Sequence, residues 1–180
     1  MAMKYRNFLL VLLLPLLLLP SCRTAERGGV GPVVERTGFV NDYARVFSEQ
    51  ESAALEADLQ AYERETCHQI LVLTVQSLQG AEIADFSSRT ATAWEPGQST
   101  LKNGLLITVA MDENKVRIEA GTGLDFLVKE GKGEEILNRI MVPLFREGQV
   151  AGGIKKGVEA FMEAARVKTY PENHRPSICL

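Results

Sequence analysis

The chain has 180 residues, of which 46% are hydrophobic, so it is long enough for one domain with a hydrophobic core of ordinary size. Its 20 Lys and Arg residues stand against 23 Asp and Glu, which gives a net charge of −3 at pH 7. Proteins that bind nucleic acid need a basic face, so this balance argues against nucleic-acid binding. It also provides no polybasic patch for anionic lipid headgroups.

The N-terminal residues have the pattern of an export signal. Lys4 and Arg6 give a short positive start, residues 8–19 are almost entirely apolar, and the stretch ends in Leu19-Pro20-Ser21-Cys22. This pattern resembles a bacterial lipoprotein signal, which is cut before a cysteine that becomes acylated. The resemblance implies a signal peptide over residues 1–21 and a palmitate-bearing Cys22. The alternative is an uncleaved anchor, but so short an apolar helix reaches about 20 Å across a hydrocarbon core of about 30 Å.

An acylated Cys22 implies an exported lipoprotein that is attached to a membrane through its lipid. After residues 1–21 are removed, 18 Lys and Arg residues remain against 23 Asp and Glu. Arg23 follows the cysteine where some bacteria place an aspartate that signals retention in the inner membrane. The resemblance therefore implies the periplasmic face of the outer membrane, if the host has two membranes.

The other two cysteines, Cys67 and Cys179, would lie in an oxidising compartment, where a disulfide is permitted. One interpretation is a bond between them, which would clamp the C-terminal residues to the domain. The other is a half-buried Cys67 and a free Cys179. The sequence leaves both open.

Residues 22–38 contain several glycines and Pro32 without periodicity, which predicts a flexible tether behind the lipidated cysteine. The domain is expected to span residues 39–167. A capping box at Ser48-Glu49-Gln50-Glu51, followed by apolar residues at helical spacing, predicts a first helix over residues 48–65.

Two continuous apolar runs predict strands that are covered on both faces, Gln69–Val75 and Gly104–Met111. A helix over residues 82–94 is predicted between them. After a turn at residues 112–114, polar and apolar residues alternate from Lys115 to Ala120, which is typical of a hairpin strand with one wetter face.

A third helix is predicted over residues 134–145, with Pro143 bending or ending it. Gly152-Gly153 is expected to separate it from a fourth helix, and residues 168–180 are predicted to form a loose tail. The order α-β-α-β-β-α-α predicts an α/β fold. We expect a three-layer α/β/α sandwich around a small mixed sheet, with a right-handed parallel crossover between the first two strands.

Five short motifs in order resemble the TPM-domain family over residues 39–167, and no single one of them is specific. They are Val40-Asn41-Asp42-Tyr43, Trp94 shortly before a glycine, Asn103-Gly104-Leu105-Leu106, Lys115 to Glu119 with Gly121-Thr122-Gly123-Leu124-Asp125, and Pro143-Leu144-Phe145-Arg146 with Gly152 and Gly153. The resemblance implies an α/β/α fold, an exported or membrane-associated protein and an association with calcium. Some members of the family carry a phosphatase label.

The chain departs from the family pattern at three positions. Asp125 stands where the family commonly has Glu, and Lys129 stands in a stretch where the family often has a further acidic residue. Cys67 stands where the family usually has glycine after the first helix. A residue other than glycine in a left-handed cap costs about 1 kcal/mol.

The candidate site lies on the side of the sheet where the parallel strands begin, which we call the amino side. Asp42, Asn103 and Asp125 are expected to meet there as oxygen ligands for Ca²⁺ or Mg²⁺. Asn41 and the glycine turn of Gly121 and Gly123 would contribute to ligand binding. The alternative is structural: Asp42 caps a local turn and Asn103 serves a tight bend.

These observations predict a lipid-anchored TPM-domain module of the cell envelope. It would be non-enzymatic and would assist the assembly or maintenance of membrane or envelope proteins, with a divalent cation as a possible ligand. The alternative is a metal-assisted phosphatase for small phosphate esters, in which Asp42 and Asp125 hold a cation that polarises the phosphoryl oxygen. The sequence identifies neither the catalytic residues nor the partner protein.

Overall fold

The computed structural model describes residues 33–167, and the elements named below lie within that range. The predictions for the signal peptide, for Cys22, for the first part of the tether and for the tail over residues 168–180 lie outside the described residues.

Four strands form one mixed sheet in the order β1-β2-β3-β4. Strands β1 (Val40–Asp42), β2 (Gln69–Val75) and β3 (Gly104–Ala110) are parallel, and β4 (Lys115–Ala120) runs antiparallel to β3. Every residue of β2 and β3 is buried, which confirms the prediction that these strands are covered on both faces.

Helices supply the two covering layers. On one face, α2 (Ile83–Trp94) packs on the alternate residues Leu71, Leu73 and Leu106 of the central strands. On the other face, α1 (Glu49–Thr66), α6 (Val150–Ala165) and shorter helices pack on the remaining strand residues. The predicted three-layer α/β/α sandwich is confirmed. None of the helices between residues 33 and 167 combines the length and the apolar character needed to cross a bilayer.

Strand β1 is absent from the prediction, because three residues with two polar side chains show no strand pattern. It becomes a strand through pairing with β2, in which Val40 is opposite Val72 and Asp42 is opposite Thr74. The outer edge of β1 is closed by Glu56 of α1. The Glu56 carboxylate accepts hydrogen bonds from the backbone N–H groups of Phe39 at 2.9 Å and Val40 at 2.7 Å.

Helix α1 begins at the predicted capping box and is joined to α6 by polar contacts. The Ser48 hydroxyl accepts from the N–H of Glu51, and the Glu51 carboxylate accepts from the N–H of Ser48. Lys155 of α6 donates to Glu51 at 2.7 Å. This ammonium, together with the cap groups of Ser48, lowers the pKa of Glu51 to about 2. The Tyr62 hydroxyl also donates to Met162 O at 2.9 Å.

The segment after β4 is more divided than the sequence predicts. It comprises α3 (Phe126–Lys129), α4 (Lys132–Ile136), a π-helical turn (Leu137–Met141) and α5 (Val142–Arg146). The π-helical turn joins α4 to α5 without a break. Pro143 lies in the first turn of α5, directly after the π-helical turn, so it does not end the helical segment.

The prediction that Gly152-Gly153 separates two helices is wrong, because both glycines lie inside α6. A Cβ atom at Gly153 would lie 2.7 Å from the Phe145 ring, so glycine is needed here for close packing between α5 and α6. The preceding helix instead ends before Gly148, which has a φ of +76°.

We predict that Glu56→Ala lowers the free energy of unfolding by about 2 kcal/mol, because it leaves the N–H groups of Phe39 and Val40 without their acceptor. Urea unfolding followed by circular dichroism measures the change. The control is Asp58→Ala on the exposed side of the same helix, which should change stability by less than about 0.5 kcal/mol. Equal effects of the two substitutions would contradict this role for Glu56.

Candidate functional site: a cleft at the amino side of the sheet

A cleft of about 370 Å³ opens at the amino side of the sheet. Its walls are the C-terminal half of α2, the loop between α2 and β3, and the end of β4 with the following glycine. The lining residues are Ser88, Ala91, Thr92, Glu95, Pro96, Gly97, Gln98, Ser99, Lys102, Glu119, Ala120 and Gly121. The cleft carries both signs of charge and is about half apolar.

The buried side chain of Asn103 holds the wall of this cleft in place. Its amide N–H donates to Cys67 O at 2.5 Å, and its carbonyl oxygen accepts from the Gln98 N–H at 2.9 Å. Gln69 adds a second tie, because its side-chain oxygen accepts from the Gly97 N–H at 3.0 Å. The structural role that the sequence left open for Asn103 is therefore the one observed.

Gly121 and Gly123 lie beside this loop, as predicted, and both are needed for close backbone approach. A Cβ atom at Gly121 would lie 2.1 Å from Lys102 O, and one at Gly123 would lie 2.3 Å from Leu101 O. The Gly123 N–H also donates to Lys102 O at 2.8 Å. Their absent side chains therefore allow the glycine turn to lie against the loop before β3.

Asp125 comes directly after this turn, where its carboxylate pairs with a lysine. Lys129 Nζ lies 2.6 Å from Asp125 Oδ2, one helical turn further along the chain. A cation near Asp125 would compete with this ammonium, so Lys129 weakens any metal site that uses the Asp125 carboxylate.

The prediction that Asp42 lies beside Asn103 is wrong. Asp42 is opposite Thr74 at the carboxyl end of β1, whereas Asn103 precedes Gly104, which is opposite Gln69. Asn103 is thus level with residue 68 of the chain, six residues from Thr74, so Asp42 and Asn103 are about 20 Å apart along the strand direction. The error arises because strand β1 was not predicted. This strand runs parallel to β2 toward the carboxyl end of the sheet, and Asp42 is its last residue.

The contacts of Asp42 agree with the alternative role as a local cap. Its carboxylate accepts from the N–H groups of Val46 and Phe47, both at 2.9 Å, and from the Thr74 hydroxyl. These bonds tie the loop after β1 to β2. Residues 33–167 contain no group of three or more His, Cys, Asp or Glu side chains placed to hold a metal ion.

Asn41 is buried in the middle of β1 rather than in a ligand site. Its side-chain oxygen accepts from the N–H groups of Thr37 at 2.7 Å and Gly38 at 3.3 Å, and its amide N–H donates to Val72 O at 3.3 Å. Asn41 therefore folds the segment before β1 back onto the strand.

Glu63, beneath the cleft, is a residue that the sequence analysis missed. Its carboxylate accepts from Gln69 Nε2 at 2.8 Å. Burial raises the pKa of Glu63, and the bond from Gln69 and the charge of Arg36 oppose this only in part. The sequence contains one indication of this burial: Glu63 comes four residues after Leu59 and so lies on the apolar face of α1.

Cys67 ends α1 in the left-handed conformation predicted for it, with a φ of 63°. It is fully buried, so the expectation that it is half-buried is wrong. Cys67 is disulfide-bonded, and residues 33–167 contain no second cysteine. The Cys67 carbonyl is the acceptor of Asn103, so this cysteine belongs to the support of the cleft.

A sequence profile described as the TPM domain matches residues 40–164. The structure resembles the solution NMR structure of the N-terminal domain of a P. gingivalis protein, with 27% identity, a TM-score of 0.64 and coverage of 76% of this chain and 88% of that chain. No functionally curated protein matches the chain.

Two further NMR structures show the same fold at lower identity. The BA42 protein of Bizionia argentinensis is 19% identical, with a TM-score of 0.60 and coverage of 73% of this chain and 90% of that chain. The N-terminal domain of a Corynebacterium glutamicum protein is 16% identical, with a TM-score of 0.56 and coverage of 81% of this chain and 97% of that chain.

We predict that Asn103→Ala lowers the free energy of unfolding by about 2 kcal/mol, because Cys67 O and the Gln98 N–H lose their partner inside the protein. Hydrogen exchange should also accelerate at Gln98, beyond the change expected from the loss of global stability. The control is Asn138→Ala on the exposed surface, which should change stability by less than about 0.5 kcal/mol and leave exchange at Gln98 unchanged. Unaltered exchange at Gln98 in Asn103→Ala would contradict the assignment.

We predict that Glu63→Gln removes a pH dependence of stability. The pKa of Glu63 in the folded state is raised above its ordinary value of 4.5. As the pH rises, the Glu63 carboxyl therefore loses its proton at a lower pH in the unfolded state than in the folded state. The contribution of Glu63 to the free energy of unfolding should therefore fall as the pH rises from 4.5 through the pKa of Glu63 in the folded state.

Urea unfolding between pH 3.5 and pH 7 should show the Glu63→Gln variant gaining stability relative to the wild type as the pH rises. The matched control is Glu130→Gln on the exposed surface. A difference between Glu63→Gln and wild type that stays constant over this pH range would contradict the prediction.

Proposed function

Because this chain belongs to the TPM-domain family, we propose that it is a membrane-tethered, non-enzymatic binding module of the cell envelope. In this proposal, the domain binds a membrane or envelope protein and assists its assembly or maintenance. The cleft at the amino side of the sheet is the binding surface.

The support for the tether lies in the sequence. The positive start, the apolar run over residues 8–19 and Ser21-Cys22 form the pattern of a lipoprotein signal. Residues 23–32 would then separate the lipid from the domain. The predicted tether does not extend to residue 38, because residues 34, 35 and 37 are hydrogen-bonded to Trp94, Tyr43 and Asn41. A single acyl chain binds membranes only marginally, so stable attachment through Cys22 requires more than one chain.

The observation that carries the binding proposal is the construction of the cleft. Its back wall is fixed by the buried Asn103 and by glycines in backbone contact, while its rim exposes Thr92 and Ser99. Glu95 and Lys102 add opposite charges to the lining. A rigid wall with an exposed, mixed rim suits a polypeptide segment, which presents apolar groups, amides and charges together.

The proposal contains no calcium or magnesium site built from Asp42, Asn103 and Asp125, since Asp42 lies on the other side of the sheet. The same geometry removes the arrangement on which the phosphatase alternative was based, in which Asp42 and Asp125 share one cation.

We predict that Cys22→Ser abolishes palmitate incorporation and moves the protein from the membrane fraction to the soluble fraction. Metabolic labelling of the full chain in a bacterium that processes lipoproteins, followed by fractionation, measures both. The control Cys179→Ser also replaces a cysteine but leaves Cys22 and the signal sequence unchanged, so it should remain labelled and membrane-bound. Labelling that survives in Cys22→Ser would contradict the tether.

The binding surface is tested in the same cells with a photo-crosslinking residue at Ser99, on the rim of the cleft. We expect it to capture a discrete envelope protein, and Cys22→Ser should abolish the capture. A crosslinker at the exposed Lys156 of α6 is the control and should not capture that protein. Equal capture from both positions, or none, would contradict the cleft as the binding surface.

The phosphatase alternative is tested separately, by measuring the hydrolysis of small phosphate esters. If the purified chain hydrolyses small phosphate esters and Asp125→Asn does not, the protein is an enzyme and the non-enzymatic proposal fails. Equal hydrolysis by both proteins would indicate contamination.

A further inference from the structure

The two outer strands of the sheet differ at their free edges. Strand β1 is closed by the Glu56 carboxylate, as described above. Strand β4 is the other outer strand, and it is twice as long. Between residues 33 and 167, no backbone or side-chain hydrogen bond reaches the outward groups of β4. An unpaired strand edge is a template for another strand.

The register of the hairpin identifies the outward groups. The Gly121 N–H donates to Gly104 O, so the backbone groups that bond to β3 recur at every second residue before Gly121. Val116, Ile118 and Ala120 therefore direct their N–H and C=O groups outward. Each of the three can exchange two hydrogen bonds with a residue of an added antiparallel strand.

The side chains of β4 are arranged in a self-complementary order. Val116, Ile118 and Ala120 share one face of β4. This face packs on the part of the core that contains residues of α1 and α6. On the other face, Arg117 and Glu119 are neighbours, with Arg117 Nε 2.5 Å from Glu119 Oε1. The sequence Val-Arg-Ile-Glu-Ala thus carries opposite charges on either side of Ile118.

We infer that the outer edge of β4 pairs with β4 of a second copy of this chain, antiparallel and centred on Ile118. The two sheets then become one continuous eight-stranded sheet. In this register, Val116 lies opposite the second copy's residue 120 and Ile118 lies opposite its counterpart. Arg117 lies opposite Glu119 of the second copy, and this ion pair occurs twice by symmetry.

Charge selects this register over its neighbours. A shift of two residues in one direction places Arg117 opposite Arg117, and a shift in the other direction places Glu119 opposite Glu119. A shift of one residue would set apolar side chains against charged ones across the pair. Opposite charges directly across a strand pair stabilise it, and like charges destabilise it.

The test is a charge exchange within β4 of the full chain, purified in a mild detergent. Sedimentation equilibrium should show a reversible dimer for the wild type. Arg117→Glu places Glu opposite Glu twice, and Glu119→Arg places Arg opposite Arg twice. Each should raise the dissociation constant about tenfold or more. The double exchange R117E/E119R restores opposite charges in the same register and should return the constant to within about threefold of wild type.

Two controls keep the result specific. Arg139→Glu reverses a charge of the exposed Arg139–Glu135 pair and should leave the dissociation constant unchanged. Thermal unfolding at low protein concentration verifies that each variant remains folded. In the wild type, the amide hydrogens of Val116, Ile118 and Ala120 should exchange more slowly as the protein concentration rises.

Three results of the sedimentation experiments would overturn the inference. They are a wild-type monomer at all concentrations, a dimer that is insensitive to the single exchanges, and a failure of the double exchange to restore pairing. Exchange protection of these amides that does not depend on concentration would show that another segment of the same chain covers β4, which also overturns it.

Discussion

Strands β2 and β3 are buried on both faces, and this constraint determines the arrangement of the other elements. A strand of this kind is stable only between two apolar layers. The alternate residues Leu71 and Leu73 face α2, whereas Ile70 and Val72 face the layer of α1 and α6. The parallel direction of β2 and β3 requires a crossover, so α2 lies between them in the chain.

The same constraint explains which parts of the fold are readable from sequence. Runs of β-branched and leucine residues predict β2 and β3, and alternation predicts β4, because these signals are local and repeated. Strand β1 has no such signal. Val40-Asn41-Asp42 is a strand because the edge of β2 is available and because Glu56, distant in sequence, accepts the outward N–H of Val40. Long-range pairing of this kind leaves no pattern in a short segment.

The glycines show a second limit of sequence reasoning. Gly152 and Gly153 suggest a break, since glycine destabilises helix interiors. In the structure, the ring of Phe145 occupies the space that a side chain at Gly153 would need. The identity of the neighbour decides between a break and a close contact, and that neighbour is known only once the helices are packed.

The residues of the candidate site also differ in whether their positions can be predicted from local sequence patterns. Asn103, Gly121, Gly123 and Asp125 are correctly placed at the amino side, because the direction of β3 and its hairpin follows from local pattern and connection length. Asp42 is misplaced, because its position depends on β1. The roles of these residues also become clear only from contacts: Asn103 bonds to two backbone groups of different segments, and Asp125 is paired with Lys129.

The π-helical turn has a consequence for how this chain tolerates insertions and deletions. Ile136 and Met141 are both buried, yet five residues of a regular α-helix would set them about 140° apart around the axis. The wider turn between them brings both to the core and supplies one residue more than a regular helix would use. Losing one residue within Leu137–Met141 would restore regular winding and leave Ile136 and Met141 on the same face, because four residues of an α-helix set them only about 40° apart. Phe145 would then stay against the glycine that makes room for it, whereas the loss of a residue from a regular part of the helix would turn its ring away by about 100°.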